Sequence, residues 1–131
     1  MTNATILIVD DDEEDKELFT EAVSHIDKNI ICYTASTTVE ALDFLVKLKK
    51  TKLPNYIFLD LNMPGIINSY ECLEKIKTDE DFSDIPVIMF TGSSQDIDMQ
   101  KSKELGASFF LTKPSKFNTL VNVLASIIII S

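Results

Sequence analysis

The chain has 131 residues, 45% of them apolar, which is enough for one core and too few for several domains. Its 12 basic residues face 21 acidic ones, a net charge of −9. Such a surface attracts neither phosphate backbones nor anionic lipid, which excludes a nucleic-acid or acidic-membrane binder. No apolar run approaches a membrane span, and residues 1–5 lack the basic and apolar regions of a secretory signal, so one cytoplasmic domain over residues 1–131 is expected. Cys32 and Cys72 lie apart in apolar surroundings and read as buried thiols of a reducing compartment. The single histidine, His25, argues against a multi-histidine metal site or a Ser-His-Asp enzyme.

Residues 5–9 form a short, continuous apolar run rich in β-branched side chains, the pattern of a strand buried on both faces. Six consecutive acids follow, Asp10 to Asp15. A helix start accounts for Glu13, Glu14 and Asp15, because carboxylates suit the positive end of the helix dipole. It accounts less well for Asp10 and Asp11, which stand at the strand end. Leu18, Phe19, Ala22, Val23 and Ile26 then make a helical stripe. A second strand is expected over 30–34. Thr37 and Glu40 read as a capping box opening a helix striped by Val39, Leu42, Leu45 and Val46. The lysines at 47, 49, 50 and 52 suit its C-terminal end. A third strand, 56–59, lies between Pro54 and Pro64, and Asn68 with Glu71 reads as the box of a helix carrying Tyr70, Leu73 and Ile76. A fourth strand over 87–90 precedes a weakly amphipathic helix over 96–105, with Gly106 placed as its C-cap. A fifth strand over 108–111 precedes Pro114, and the last helix carries Phe117, Leu120, Val121, Leu124, Ile127 and Ile128. Five β-α units in succession imply a parallel sheet with helices on both faces and right-handed crossovers.

In such a sheet, ligands bind outside the carboxyl ends of the strands. The first strand delivers Asp10 and Asp11 there, the third Asp60, the fourth Thr91 and Gly92, and the fifth Lys113. Clustered carboxylates raise one another's pKa unless positive charge offsets them. A lysine offsets part of that charge and a divalent cation offsets more. All-oxygen ligation suits magnesium, and the rim lacks the His and Cys that zinc prefers. The composition of the rim points to magnesium-assisted phosphoryl transfer.

The segments Leu7-Ile-Val-Asp-Asp11, Leu59-Asp-Leu-Asn-Met-Pro-Gly65, Thr91-Gly92 and Lys113-Pro114, in this order and spacing, resemble the signature of the response-regulator receiver domain of two-component systems, over residues 5 to 130. The resemblance implies a flavodoxin-like three-layer α/β sandwich, (βα)5, with the five parallel strands in the order 2-1-3-4-5. It implies Asp60 as phosphoacceptor from a phosphohistidine on a histidine kinase or histidine phosphotransfer protein. Asp10, Asp11, Asp60 and the main-chain carbonyl of Asn62 would hold Mg2+. Lys113 would pair with the aspartyl phosphate, Thr91 would hydrogen-bond a phosphate oxygen, and Gly92 would leave access open. Thr91 and Phe110 would form the switch, and a cis Lys113–Pro114 bond is implied. The chain would be a stand-alone signalling module and not a conventional enzyme. It would self-phosphorylate with Mg2+, lose the phosphoryl group slowly, and signal to a downstream protein through the face of its fourth helix, fifth strand and fifth helix.

The chain departs from the pattern after Asp60. The loop runs one residue long and places Asn68 and Ser69 where a glycine is expected, with Asn68 suited to a positive φ and Ile66 and Ile67 forming an apolar bump. Val123, Ile129 and Ile130 add apolar surface near the C-terminus, which fits a homodimer through the same signalling face. A docking module of the same fold without phosphotransfer is the alternative. A phosphatase of the haloacid-dehalogenase type is disfavoured, because it wants a second acid where Asn62 stands. A flavodoxin is disfavoured as well, because no Ser/Thr/Gly-rich phosphate loop follows the first strand.

Overall fold

The structure is a computed structural model that describes residues 4–63, 65–92 and 95–128. The expectations placed on Pro64, Ile129, Ile130 and the first three residues lie outside the described residues. Five strands and five helices alternate: β1 (Thr5–Val9), α1 (Glu13–Ile26), β2 (Ile31–Ala35), α2 (Thr38–Leu48), β3 (Tyr56–Leu59), α3 (Ser69–Thr78), β4 (Val87–Thr91), α4 (Asp96–Glu104), β5 (Phe109–Thr112) and α5 (Phe117–Ile127). The strands form one parallel sheet in the order β2-β1-β3-β4-β5. The order expected from the sequence is thus present, with β2, β4 and β5 shifted or extended by one residue.

Alternation along the strands makes three layers. Leu7, Val9, Ile57, Leu59, Val87 and Met89 point to one face, where Ala41 and Leu45 of α2 and Leu73 and Ile76 of α3 cover them. Ile6, Ile8, Phe58, Ile88 and Phe90 point to the other, against Phe19, Ala22 and Val23 of α1 and Leu120 and Leu124 of α5. The rings of Phe19, Phe58 and Phe90 meet edge to face there. β1 and β4 are buried throughout, but β2 and β5 are partly exposed. The expectation of burial on both faces fails for these two because they are the sheet edges, with a neighbour on one side only. For the same reason Cys32 on β2 is half-buried, while Cys72 is buried as expected. Leu18, Val39 and Val46 of the expected stripes are exposed, because the buried faces of α1 and α2 are narrower than the apolar pattern.

Local chemistry sets the helix ends. Asp12 caps α1 by accepting from the Asp15 amide, and Asn68 and Glu71 form a reciprocal capping box on α3. At the start of α2 the Thr37 hydroxyl accepts from the Glu40 amide. Asn68 does not take a positive φ; it caps α3 at φ −80°, and Gly65 supplies the left-handed turn at φ +117°. Ile66 is exposed as expected, whereas Ile67 packs on the core and its carbonyl accepts from the Thr38 hydroxyl. The Lys113–Pro114 bond is trans, contrary to the implied cis form.

α4 buries almost none of its own side chains, and Ile97 and Met99 are exposed. It is tied to α3 through Tyr70, whose hydroxyl donates to Asp98 Oδ1 at 2.6 Å while Lys101 Nζ lies 4.3 Å from the centre of its ring. Burial, then the Asp98 carboxylate, push the Tyr70 hydroxyl up to about 12 from 10.0. The folded chain therefore keeps a proton that the unfolded chain loses. This part of the stability is present below pH 10 and is lost as pH rises towards 12. A tyrosinate absorbance titration is expected to show a late ionisation step that Tyr70→Phe removes. Gly106, which follows α4 at φ +103°, is a second test: a Cβ there meets Lys77 Cγ at 3.1 Å. The Lys77 ammonium is engaged by the carbonyls of Ser83 and Ile85. Gly106→Ala is expected to cost about 1–2 kcal/mol in urea denaturation, from the positive φ and the displaced lysine stem.

Candidate functional site

β1 and β3 are neighbours in register, Val9 beside Leu59, so the next residues, Asp10 and Asp60, leave the sheet side by side. The backbone ladder continues one step beyond the strands. Asp10 N–H donates to the Ala35 carbonyl and Asp60 N–H to the Val9 carbonyl, each at 3.0 Å. Both carboxylates are therefore anchored on rigid backbone. Each then spends one oxygen on a nearby amide: Asp10 Oδ1 accepts from Asp12 N–H at 3.0 Å, and Asp60 Oδ1 from Asn62 N–H at 3.2 Å. The Ser69 hydroxyl donates to the Asp60 main-chain carbonyl, which fixes the start of α3 against the same residue.

β5 brings the cation. Lys113 N–H donates to the Thr91 carbonyl at 2.7 Å, one step past the paired residues Thr91 and Thr112. Its ammonium reaches Asp10 Oδ2 at 2.7 Å, Asp15 Oδ2 at 2.9 Å and Asp60 Oδ2 at 3.1 Å. Burial pulls the Lys113 ammonium down, but the carboxylates of Asp10, Asp15 and Asp60 outweigh it and hold its pKa above the usual lysine value. Burial raises the Asp10 carboxyl above 3.8, and the Lys113 ammonium and the Asp12 amide offset part of that rise. Carboxylate oxygens of Asp10, Asp11 and Asp60 lie within 4.8 Å of one another. Three hard oxygen donors without His or Cys are a donor set that fits a divalent cation.

The remaining expected residues surround this cluster. Thr91 is fully buried at the end of β4. Among the described residues, a Cβ at Gly92 would meet nothing within 4 Å. Phe110 is half-buried, stands in register with Met89 and packs on the same core cluster, while its neighbour Phe109 is exposed. Asn62 is exposed and contributes its amide to Asp60.

Asp15, which the sequence pattern assigns to the helix dipole alone, belongs to the site. It stands on the first turn of α1, and only the packing of α1 across the sheet brings it to a lysine 98 positions away. Its one local signal is its place in the acidic run, three positions after Asp12, the cap of α1. Lys16 is a second residue that the pattern does not single out. It is buried, its ammonium engages Glu13 and the Ser36 hydroxyl, and it directly follows the acidic run.

Comparisons with known proteins agree with this architecture. The family model described as response regulator receiver domain matches residues 6–125. The chain is 32% identical over 128 residues to the phosphate regulon transcriptional regulatory protein PhoB of Pseudomonas aeruginosa, covering 98% of this chain and 53% of that protein, so it spans about half of that relative's length. It is 32% identical to response regulator Rcp1 of Synechocystis, over 93% of this chain and 84% of that protein. Among solved structures, the phosphorylated cyanobacterial phytochrome response regulator RcpA superposes with a TM-score of 0.86 at 26% identity, covering 96% of this chain and 91% of the other. The Mn2+-bound form of response regulator Rcp1 superposes with a TM-score of 0.82 at 29% identity, over 95% and 91%. With the strand order, the acidic cluster and the family match in agreement, the chain belongs to the response regulator receiver domain family.

Proposed function

We propose that this chain is the phosphoacceptor of a two-component phosphorelay and that Asp60 takes the phosphoryl group. The observation that carries the reading is the Lys113 ammonium, held within 3.1 Å of both Asp10 and Asp60 at the ends of three strands. An Asp60 carboxylate oxygen attacks phosphorus of a phosphohistidine on a histidine kinase or histidine phosphotransfer protein. An O–P bond forms, the N–P bond breaks, and the imidazole nitrogen leaves with the electron pair. Lys113 offsets the charge gathering on the phosphoryl oxygens, and the Thr91 hydroxyl donates a hydrogen bond to one of them. Asp10, Asp11, Asp60 and the main-chain carbonyl of Asn62 would hold Mg2+, which when bound supplies charge neutralisation on the transferring group. The all-oxygen donor set and the Mn2+ bound by the similar Rcp1 structure support that assignment.

In this reading the acyl phosphate draws Thr91 towards it and lets Phe110 turn inward, which alters the α4-β5-α5 face. The sparse burial of α4 and the exposed Ile97, Met99 and Phe109 support a face that changes at low cost and meets a protein. A downstream protein, or a second copy forming a homodimer, would bind there. The module would act in the cytoplasm, hydrolyse its own phosphate slowly, and not work as a conventional enzyme. Among the described residues no helix is long and apolar enough to cross a membrane.

Incubation with Mg2+ and acetyl phosphate, read by intact mass, is expected to add one phosphoryl group to the wild-type chain. Asp60→Asn is expected to abolish the addition while keeping the circular dichroism spectrum, and labelling that persists in this variant refutes the assignment. Lys113→Ala is expected to slow the addition by about 100-fold, the usual scale for losing a preorganised charge at a reacting group.

A further inference from the structure

The Lys113 ammonium has three N–H donors, and Asp10, Asp15 and Asp60 each accept one. Transfer to an Asp60 oxygen ends that residue's hold on the lysine as a carboxylate, so the phosphoryl oxygens compete with Asp10 and Asp15 for the ammonium. These two are not equivalent. The Asp10 side chain is 2% exposed, is fixed through its other oxygen by a main-chain amide, and belongs to the group of carboxylates that would share the cation. Pulling the ammonium from Asp10 disturbs a buried, doubly engaged carboxylate, which is the expensive way to break an ion pair. Asp15 is 39% exposed, so water takes over its oxygen when the lysine leaves. Asp15 also lies outside the group of carboxylates close enough to share a cation.

We propose that Asp15 is a positioning residue acting through Lys113: its carboxylate occupies the third lysine donor as an exchangeable placeholder, and an incoming phosphoryl oxygen takes that place. This rests on the reading of Asp60 as phosphoacceptor and goes beyond it, because it assigns to a helix α1 residue the control of how readily the lysine engages the anion. Asp15 holds the ammonium at the rim before transfer and competes with the phosphoryl group for it afterwards. Removing the carboxylate frees the donor and lowers the negative charge that the anion meets.

The test is beryllofluoride binding to the full chain in the presence of Mg2+, followed by tyrosine fluorescence or NMR. Asp15→Asn is expected to bind about three- to fivefold more tightly than wild type, the scale of one partly exposed ion pair. Glu14→Gln removes the same charge from the neighbouring exposed position, outside the three carboxylates that occupy the Lys113 donors, and is expected to leave affinity within about twofold. In a Lys113→Ala background, where the placeholder has nothing to hold, Asp15→Asn is expected to shift affinity by less than about 1.5-fold. Thermal melting of each variant separates these effects from loss of fold. Equal affinities for Asp15→Asn and Glu14→Gln, weaker binding by Asp15→Asn, or an undiminished effect without Lys113 each overturns the proposal. A wild-type chain that binds no beryllofluoride instead overturns the phosphoacceptor reading, and the placeholder with it.

Discussion

The arrangement at the rim depends on one ammonium. Asp10 and Asp60 leave adjacent strands almost in contact, and Asp11 and Asp15 add further negative charge. Without a counter-ion this group would favour protonation of one member, and burial already raises the Asp10 carboxyl. Lys113 supplies the counter-ion from the end of an edge strand, and its main-chain bond to the Thr91 carbonyl aims it. The same ion pairs that stabilise the charged form also couple β1, β3, β5 and α1 at a single point, so the rim behaves as one electrostatic unit.

The fold makes that unit possible by simple alternation. Odd and even residues of β1 and β4 go to opposite helical layers, which buries these central strands on both faces and leaves them stiff. Stiff strands hold Asp10, Asp60 and Thr91 at fixed positions. The edges are looser. β5 and α4 bury little, and α4 depends on the polar tie from Tyr70 to Asp98 and Lys101. Rigidity lies where the anion would be held, and adaptability lies beside it.

The Ser69 hydroxyl joins these two regions. It bonds to the Asp60 carbonyl, and the next residue, Tyr70, reaches α4. The loop after Asp60 thus keeps that residue anchored. Gly65 takes up the turn, Ile67 returns to the core, and Asn68 restarts the chain as a helix cap.

Strand and helix identities, the capping box at Asn68, the turn at Gly106 and the sorting of Asp10, Asp11, Asp60, Thr91 and Lys113 to one rim are all legible in the sequence. They arise from local periodicity and from a general property of parallel sheets, and neither requires knowledge of packing. The exposure of β2 and β5, the displaced stripes at Leu18, Val39 and Val46, the trans Lys113–Pro114 bond and the position of Asp15 are not legible there. The strand edges, the stripes and Asp15 each depend on which neighbour a residue meets across the sheet. Residue order alone is sufficient for the alternation of elements and for the chemical inventory of the rim. Which carboxylates share the lysine is settled later, by packing, because the angle at which α1 crosses the sheet follows from side-chain contacts with the whole layer and not from any local pattern.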